Sequence, residues 1–90
     1  MTSPTEIRRK RLLFRSRNRG MKETDLLLGS FAERHLAALS DAQLGRYEAL
    51  LEQDDDVLYD WVTGRAAPPP EWDSDVLRLL LAFEYPVPPA

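Results

Sequence analysis

Ninety residues carry twelve Lys and Arg against fifteen Asp and Glu, a net charge of −3, with 43% hydrophobic residues and no Cys. A chain of this length buries one modest core, with which an internal cofactor pocket would compete, so a working surface is a better expectation than a deep catalytic cleft. With no Cys and His35 as the lone His, disulfides, thiolate nucleophiles and Cys- or His-rich metal sites are excluded, and no apolar run approaches the ~20 residues that cross a membrane.

The charge is segregated. Residues 1–22 hold Arg8, Arg9, Lys10, Arg11, Arg15, Arg17, Arg19 and Lys22 against Glu6 alone, a net +7; the remainder holds four basic residues against fourteen acidic ones, a net −10. Such asymmetry points to an interaction surface at one end. The Arg-rich start lacks the apolar stretch of a signal peptide and runs directly into the first helix, so a bacterial cytoplasmic protein is expected.

The hydrophobic period is helical throughout, and the expectation is an all-α, compact five-helix bundle in one domain over residues 5–85, with residues 1–4 and 86–90 disordered. The first helix is predicted from Thr5 to Asn18, with Ile7, Arg11 and Phe14, joined by Leu12 and Leu13, as its short apolar stripe. Gly20 then supplies a residue that adopts positive φ and stops a helix. The second helix is predicted from Lys22 to Leu39: Leu28, Phe31, Ala32, His35, Leu36 and Leu39 recur at three and four, and Glu23 and Asp25 in the first turn oppose the positive helix end. Gly29 inside it costs roughly 1 kcal/mol relative to Ala, which a closely passing neighbour would explain.

Ser40 followed by Gln43 is a capping-box pattern opening a third helix with Leu44, Tyr47, Leu50 and Leu51 on its buried face. A fourth begins within Asp54, Asp55 and Asp56, carries Val57, Leu58, Trp61 and Val62 on one side, and ends at Gly64. Pro68, Pro69 and Pro70 form a stiff extended link. The fifth starts near Asp73 or Ser74, carries Val76, Leu77, Leu79, Leu80, Leu81 and Phe83, and stops before Pro86.

Nothing in the chain proposes a reaction: there is no nucleophile–base pairing, no phosphate-cradling glycine loop and no metal spacing, so the protein is read as a non-enzyme. The sharpest local feature is Arg19-Gly20-Met21-Lys22-Glu23. One reading is a helix stop, a turn and an acidic helix start; the other is an exposed guanidinium–carboxylate pair on a tight corner, since the planar Arg fork suits carboxylates and phosphates. The acidic run Glu52, Asp54, Asp55, Asp56 lacks the Gly and downstream carboxylate of a calcium loop and reads as helix capping. Tyr59 and Trp61, two residues apart on a helix, face different sides, so one is free to be core while the other binds; core packing of both is the other reading. His35 reads as a core or boundary histidine.

These blocks together resemble one family. The basic first helix, the run from Arg19 through Asp25 to Phe31, and then Leu51-Glu52-Gln53-Asp54-Asp55 with Leu58, Tyr59 and Trp61 are similar to the FAD assembly factors of succinate dehydrogenase, called succinate dehydrogenase assembly factor 2 in mitochondria. The resemblance spans Arg8 to Phe83. It implies a five-helix bundle that binds the flavoprotein subunit of succinate dehydrogenase or fumarate reductase and promotes covalent attachment of FAD. The FAD belongs to the client, and the factor has no cofactor of its own. By the same resemblance the partner-binding residues are Arg19, Gly20, Glu23, Asp25, Phe31, Asp54, Tyr59 and Trp61, with Arg19 and Glu23 reaching together into the opened client. Thr24 departs from the family, which usually has a larger apolar residue there. No membrane or nucleic-acid partner is expected, and the apolar faces suit a monomer. Two other classes stay open: an antitoxin-like or regulatory binding module, and a nucleic-acid binder using the basic helix.

Overall fold

The computed structural model describes residues 3–83. Five α-helices follow in order: α1 Pro4–Arg17, α2 Lys22–His35, α3 Asp41–Leu51, α4 Asp55–Thr63 and α5 Asp75–Ala82. Short 3₁₀ turns at Leu36–Ala38 and Pro70–Trp72 complete the helical content, and no strand occurs among the described residues. The expected all-α, single-domain class is observed. The tail at 86–90 lies outside the described residues. So do Met1 and Thr2, whereas Ser3 caps α1 with its hydroxyl accepting from Glu6 N–H.

The helix boundaries follow local chemistry. Ser40 Oγ accepts from Gln43 N–H (3.2 Å) while Gln43 Oε1 accepts from Ser40 N–H (2.9 Å), so the capping box forms as expected and satisfies two donors that a helix start leaves unpaired. Ser74 caps α5 by accepting from Leu77 N–H. Gly64 closes α4 at φ 79°. The second helix departs from expectation: α2 ends at His35 rather than Leu39, and a 3₁₀ turn follows. The carbonyls of Leu36 and Leu39 accept from Nε and Nη2 of Arg9 at 3.0 and 2.9 Å. A guanidinium from α1 thus takes up acceptors that a continuing helix would have used. The fifth helix ends at Ala82, with Phe83 already extended.

The core gathers around Tyr47 and Phe31, both fully buried, with Leu28 and Leu44 from the same two helices and Leu58, Val76 and Leu80 from α4 and α5 also at 0% exposure. Phe31 packs on Tyr47 (5.5 Å between ring centroids), His35 (4.7 Å) and, edge-on, Phe83 (5.6 Å). Leu44, Tyr47, Leu50 and Leu51 are buried, as the third-helix pattern predicts. At Gly29 the first helix comes so near that a Cβ would lie 3.1 Å from Arg17 Cγ; the close neighbour expected for a mid-helix glycine is α1.

The face of α1 that enters the core keeps Leu12 and Leu13 of the predicted stripe but not Ile7, Arg11 or Phe14. Leu12 and Ser16, one turn apart, are the buried pair; Leu13 sits at the edge, and Ile7 and Phe14 stand 42% and 68% exposed. Polar chemistry selects this rotation. Ser16 Oγ donates to Leu12 O (2.7 Å) and contacts Tyr47 Oη at 2.6 Å. Having spent its proton, the Ser hydroxyl accepts from the Tyr. The same rotation aims Arg8 at Glu48, Arg15 at Glu52 and Arg17 at Glu33.

Candidate functional site

The segment Arg19 to Asp25 forms a corner between α1 and α2. Asn18 ends α1, and Gly20 adopts φ 103°, a conformation in which a Cβ costs about 1–2 kcal/mol. Met21, extended, occupies the N-cap of α2 and has no side chain able to cap it. Glu23 and Asp25 in the first turn compensate the positive helix end, and Asp25 Oδ1 reaches back to accept from Arg19 N–H at 2.5 Å.

The Arg19 side chain leaves this corner inward. Its Nη1 donates to Leu51 O and its Nη2 to Gln53 O, both at 2.6 Å, while Nε donates to Asp55 Oδ1 at 2.6 Å. All three arms of the fork are therefore engaged. The acceptors are the end of α3, where carbonyls lack helical partners and the dipole favours a cation, and the first residue of α4. The Arg19 and Asp55 side chains are only 10% and 18% exposed. One guanidinium thus ties together the end of α1, the end of α3 and the start of α4. Arg19 pairs with Asp55 rather than with Glu23: the turn and acidic helix start of the first reading are present, and in place of the exposed guanidinium–carboxylate pair of the second there is an internal lock. Its fork is not presented to a partner.

Glu23 is exposed, as is Lys22 beside it. Asp25 is half-buried and holds the Arg19 backbone. Asp54 is the N-cap of α4, makes no side-chain capping bond and is exposed. Tyr59 is half-buried, whereas Trp61 is 7% exposed and packs on Trp72 with ring centroids 5.9 Å apart. Phe31 is fully buried at the centre of the aromatic cluster. Of the eight residues predicted to bind a partner, then, Phe31 and Trp61 are core side chains and Arg19 is an internal tie. Glu23, Asp54 and part of Tyr59 remain available, and Gly20 shapes the corner. Asp55 was not predicted to have a role beyond starting a helix; which Asp of the run meets the guanidinium depends on how α4 sits against the corner between α1 and α2.

Thr24 is fully buried, and its hydroxyl has no hydrogen-bond partner among the described residues. The basic helix is largely committed: Arg8, Arg15 and Arg17 pair with carboxylates, Arg9 with carbonyls, and Arg19 with both. The electrostatic footprint that a nucleic-acid binder needs is correspondingly reduced. No described helix is long and apolar enough to cross a membrane.

The corner, the acidic start of α4 and the aromatic pair after it occupy the blocks that carry the resemblance, and a family model described as flavinator of succinate dehydrogenase matches residues 10–84. The chain belongs to this flavinator family. Its relatives include succinate dehydrogenase assembly factor 2, mitochondrial, of Dictyostelium discoideum, 44% identical over 78 residues covering 87% of this chain and 55% of the relative. The factor of the same name in Meyerozyma guilliermondii is 44% identical, covering 83% of this chain and 58% of the relative. Assembly factor 2-B of Drosophila persimilis is 42% identical, covering 86% and 50%. The flavinator-family chain spans about half the length of these relatives. All three are designated mitochondrial and come from eukaryotes, which overturns the expectation of a bacterial cytoplasmic protein.

Proposed function

We propose that this succinate dehydrogenase assembly factor binds the flavoprotein subunit and promotes covalent attachment of FAD to it, acting as a monomer without an active site or a cofactor of its own. The observation that carries this reading is the corner at Gly20. Arg19 and Asp25 hold it from inside, and Glu23 stands on it exposed. A carboxylate on a rigid, narrow corner is suited to entering a cleft of a partner and contacting a polar group there, because its position is set before binding and little ordering entropy remains to be lost.

The chemistry of attachment stays with the client, and the factor contributes positioning, which lowers a barrier without the helper reacting. Clefts among the described residues, such as the one of about 380 Å³ lined by Arg34, His35, Leu79, Ala82 and Phe83, are surface hollows rather than an enclosed dinucleotide site. Arg19 is assigned a supporting part: it fixes the corner, and Glu23 makes the contact. Asp54, exposed, and Tyr59, half-buried, flank the Asp55 anchor in sequence and are proposed to add to the contact.

The test is covalent flavin fluorescence of the flavoprotein band on a denaturing gel, from cells with and without this gene. Loss of the signal with the flavoprotein still present is the expected result. An unchanged signal would remove the proposed function.

A further inference from the structure

The outer face of α1 carries a feature that the corner does not use. Ile7 and Phe14 lie seven residues apart, two turns on, and share a side of the helix. That side is opposite the buried Leu12 and Ser16. Ile7 is 42% exposed and Phe14 68%. Lys10 and Arg11 lie between them in sequence, to either side of the stripe, and both are exposed.

The contrast with the rest of the helix is informative. Arg8, Arg15 and Arg17 meet Glu48, Glu52 and Glu33, and Arg9 meets backbone carbonyls. Lys10 and Arg11 have no such partner among the described residues. The helix that clips onto the acidic body thus leaves two exposed, uncommitted cations flanking two apolar side chains that face away from it. A single exposed apolar side chain is ordinary on a protein surface, but an aromatic and an aliphatic side chain aligned on one helix face beside an unpaired Arg have the composition of a contact. The body from residue 23 onward carries a net −10, which opposes the extended, uniformly anionic surface of a bilayer or of nucleic acid far more than a local patch whose centre is apolar. A protein surface that presents an apolar hollow bordered by carboxylates matches the stripe in both respects.

We infer that Ile7, Lys10, Arg11 and Phe14 form a second docking surface, taken by an apolar, carboxylate-bordered patch of the client protein. This rests on the proposed function in so far as the client is the flavoprotein subunit. Phe14 would supply the buried anchor, since aromatic side chains at the centre of a contact dominate its affinity. Lys10 and Arg11 would steer the encounter and set its salt dependence.

Binding of the full chain to purified flavoprotein subunit, measured by biolayer interferometry, tests this. Phe14→Ser and the pair Lys10→Glu with Arg11→Glu should each weaken the complex about tenfold or more, with thermal melting of the factor unchanged, and the charge-reversed pair should lose most of its association rate at low salt. If the wild-type chain binds, Glu23→Ala weakens it and the stripe variants bind as wild type, the second surface is refuted while the proposed function stands. Absence of any wild-type binding refutes both. A self-association lost in Phe14→Ser, or sedimentation with anionic vesicles lost on charge reversal, would assign the stripe to another occupant and overturn the inference.

Discussion

Nε of Arg19 lies 2.6 Å from Oδ1 of Asp55, across a boundary between helices that are remote in sequence, in a setting where the two side chains are 10% and 18% exposed. Removing one partner of a nearly buried pair leaves the other uncompensated. Arg19→Ala also abandons the carbonyls of Leu51 and Gln53. It is expected to cost about 3 kcal/mol, a large share of the stability of a domain this small. Asp55→Asn should cost less, and the two losses should not add in a double-mutant cycle. Urea unfolding reads both. A wild-type midpoint for Arg19→Ala would mean that the guanidinium locks nothing.

Glu23 separates structure from function. It is exposed and makes no bond to the lock, so Glu23→Ala should alter stability by no more than about 0.5 kcal/mol while lowering flavin attachment to the client. Arg19→Ala should lose both properties. Flavin fluorescence of the client beside thermal melting of the factor distinguishes the two residues. A folded Glu23→Ala that supports full flavinylation would move the contact elsewhere on the corner.

Gly20 at φ 103° has no atom within 4 Å of where a Cβ would stand. The cost of Gly20→Ala is therefore backbone strain alone, about 1–2 kcal/mol by equilibrium unfolding. A loss far above that range would indicate a steric role at a position that is open in the folded chain.

Thr24 buries a hydroxyl without a partner. Replacing it by a methyl of the same shape removes the desolvation penalty, so Thr24→Val should raise stability by about 1 kcal/mol or more. Differential scanning calorimetry would register a higher Tm; a lower one would mean that the hydroxyl has a partner in solution.

Burial raises the Tyr47 phenol from 10.0 to about 12, against the lowering effects of Ser16 and of the Arg19 and Arg15 charges. In the unfolded chain the phenol ionises near its ordinary value, so the protons bound in the unfolded state fall first as pH rises. The stability that burial of the neutral phenol represents is fully present below pH 10.0 and is lost progressively toward about 12. Tyr47→Phe should remove that part of the alkaline dependence, at a cost of about 1 kcal/mol near neutrality for the lost bond to Ser16. Unfolding curves across this pH range check the sign.

What the sequence by itself determined lies in local chemistry. Ser40 with Gln43, Gly20 and Gly64 at positive φ, and the Leu44, Tyr47, Leu50, Leu51 spacing place helix ends and buried faces through interactions within a turn or two of the chain. The family, too, was legible in blocks that are contiguous in sequence. What only the tertiary structure decided are choices among chemically equal candidates. Leu12 and Ser16, not Ile7 and Phe14, became the inner face of α1 because Tyr47 offered a hydroxyl and carboxylates on either side of that face met the arginines, Glu48 and Glu52 at α3 taking Arg8 and Arg15 and Glu33 on α2 taking Arg17. Arg19 found Asp55, not Glu23, because the end of α3 and the start of α4 present two carbonyls and a carboxylate in the geometry of one guanidinium fork. Sequence spacing carries the period of a helix, whereas the partner of a long charged side chain depends on how whole helices pack, and that is a property of the assembled core.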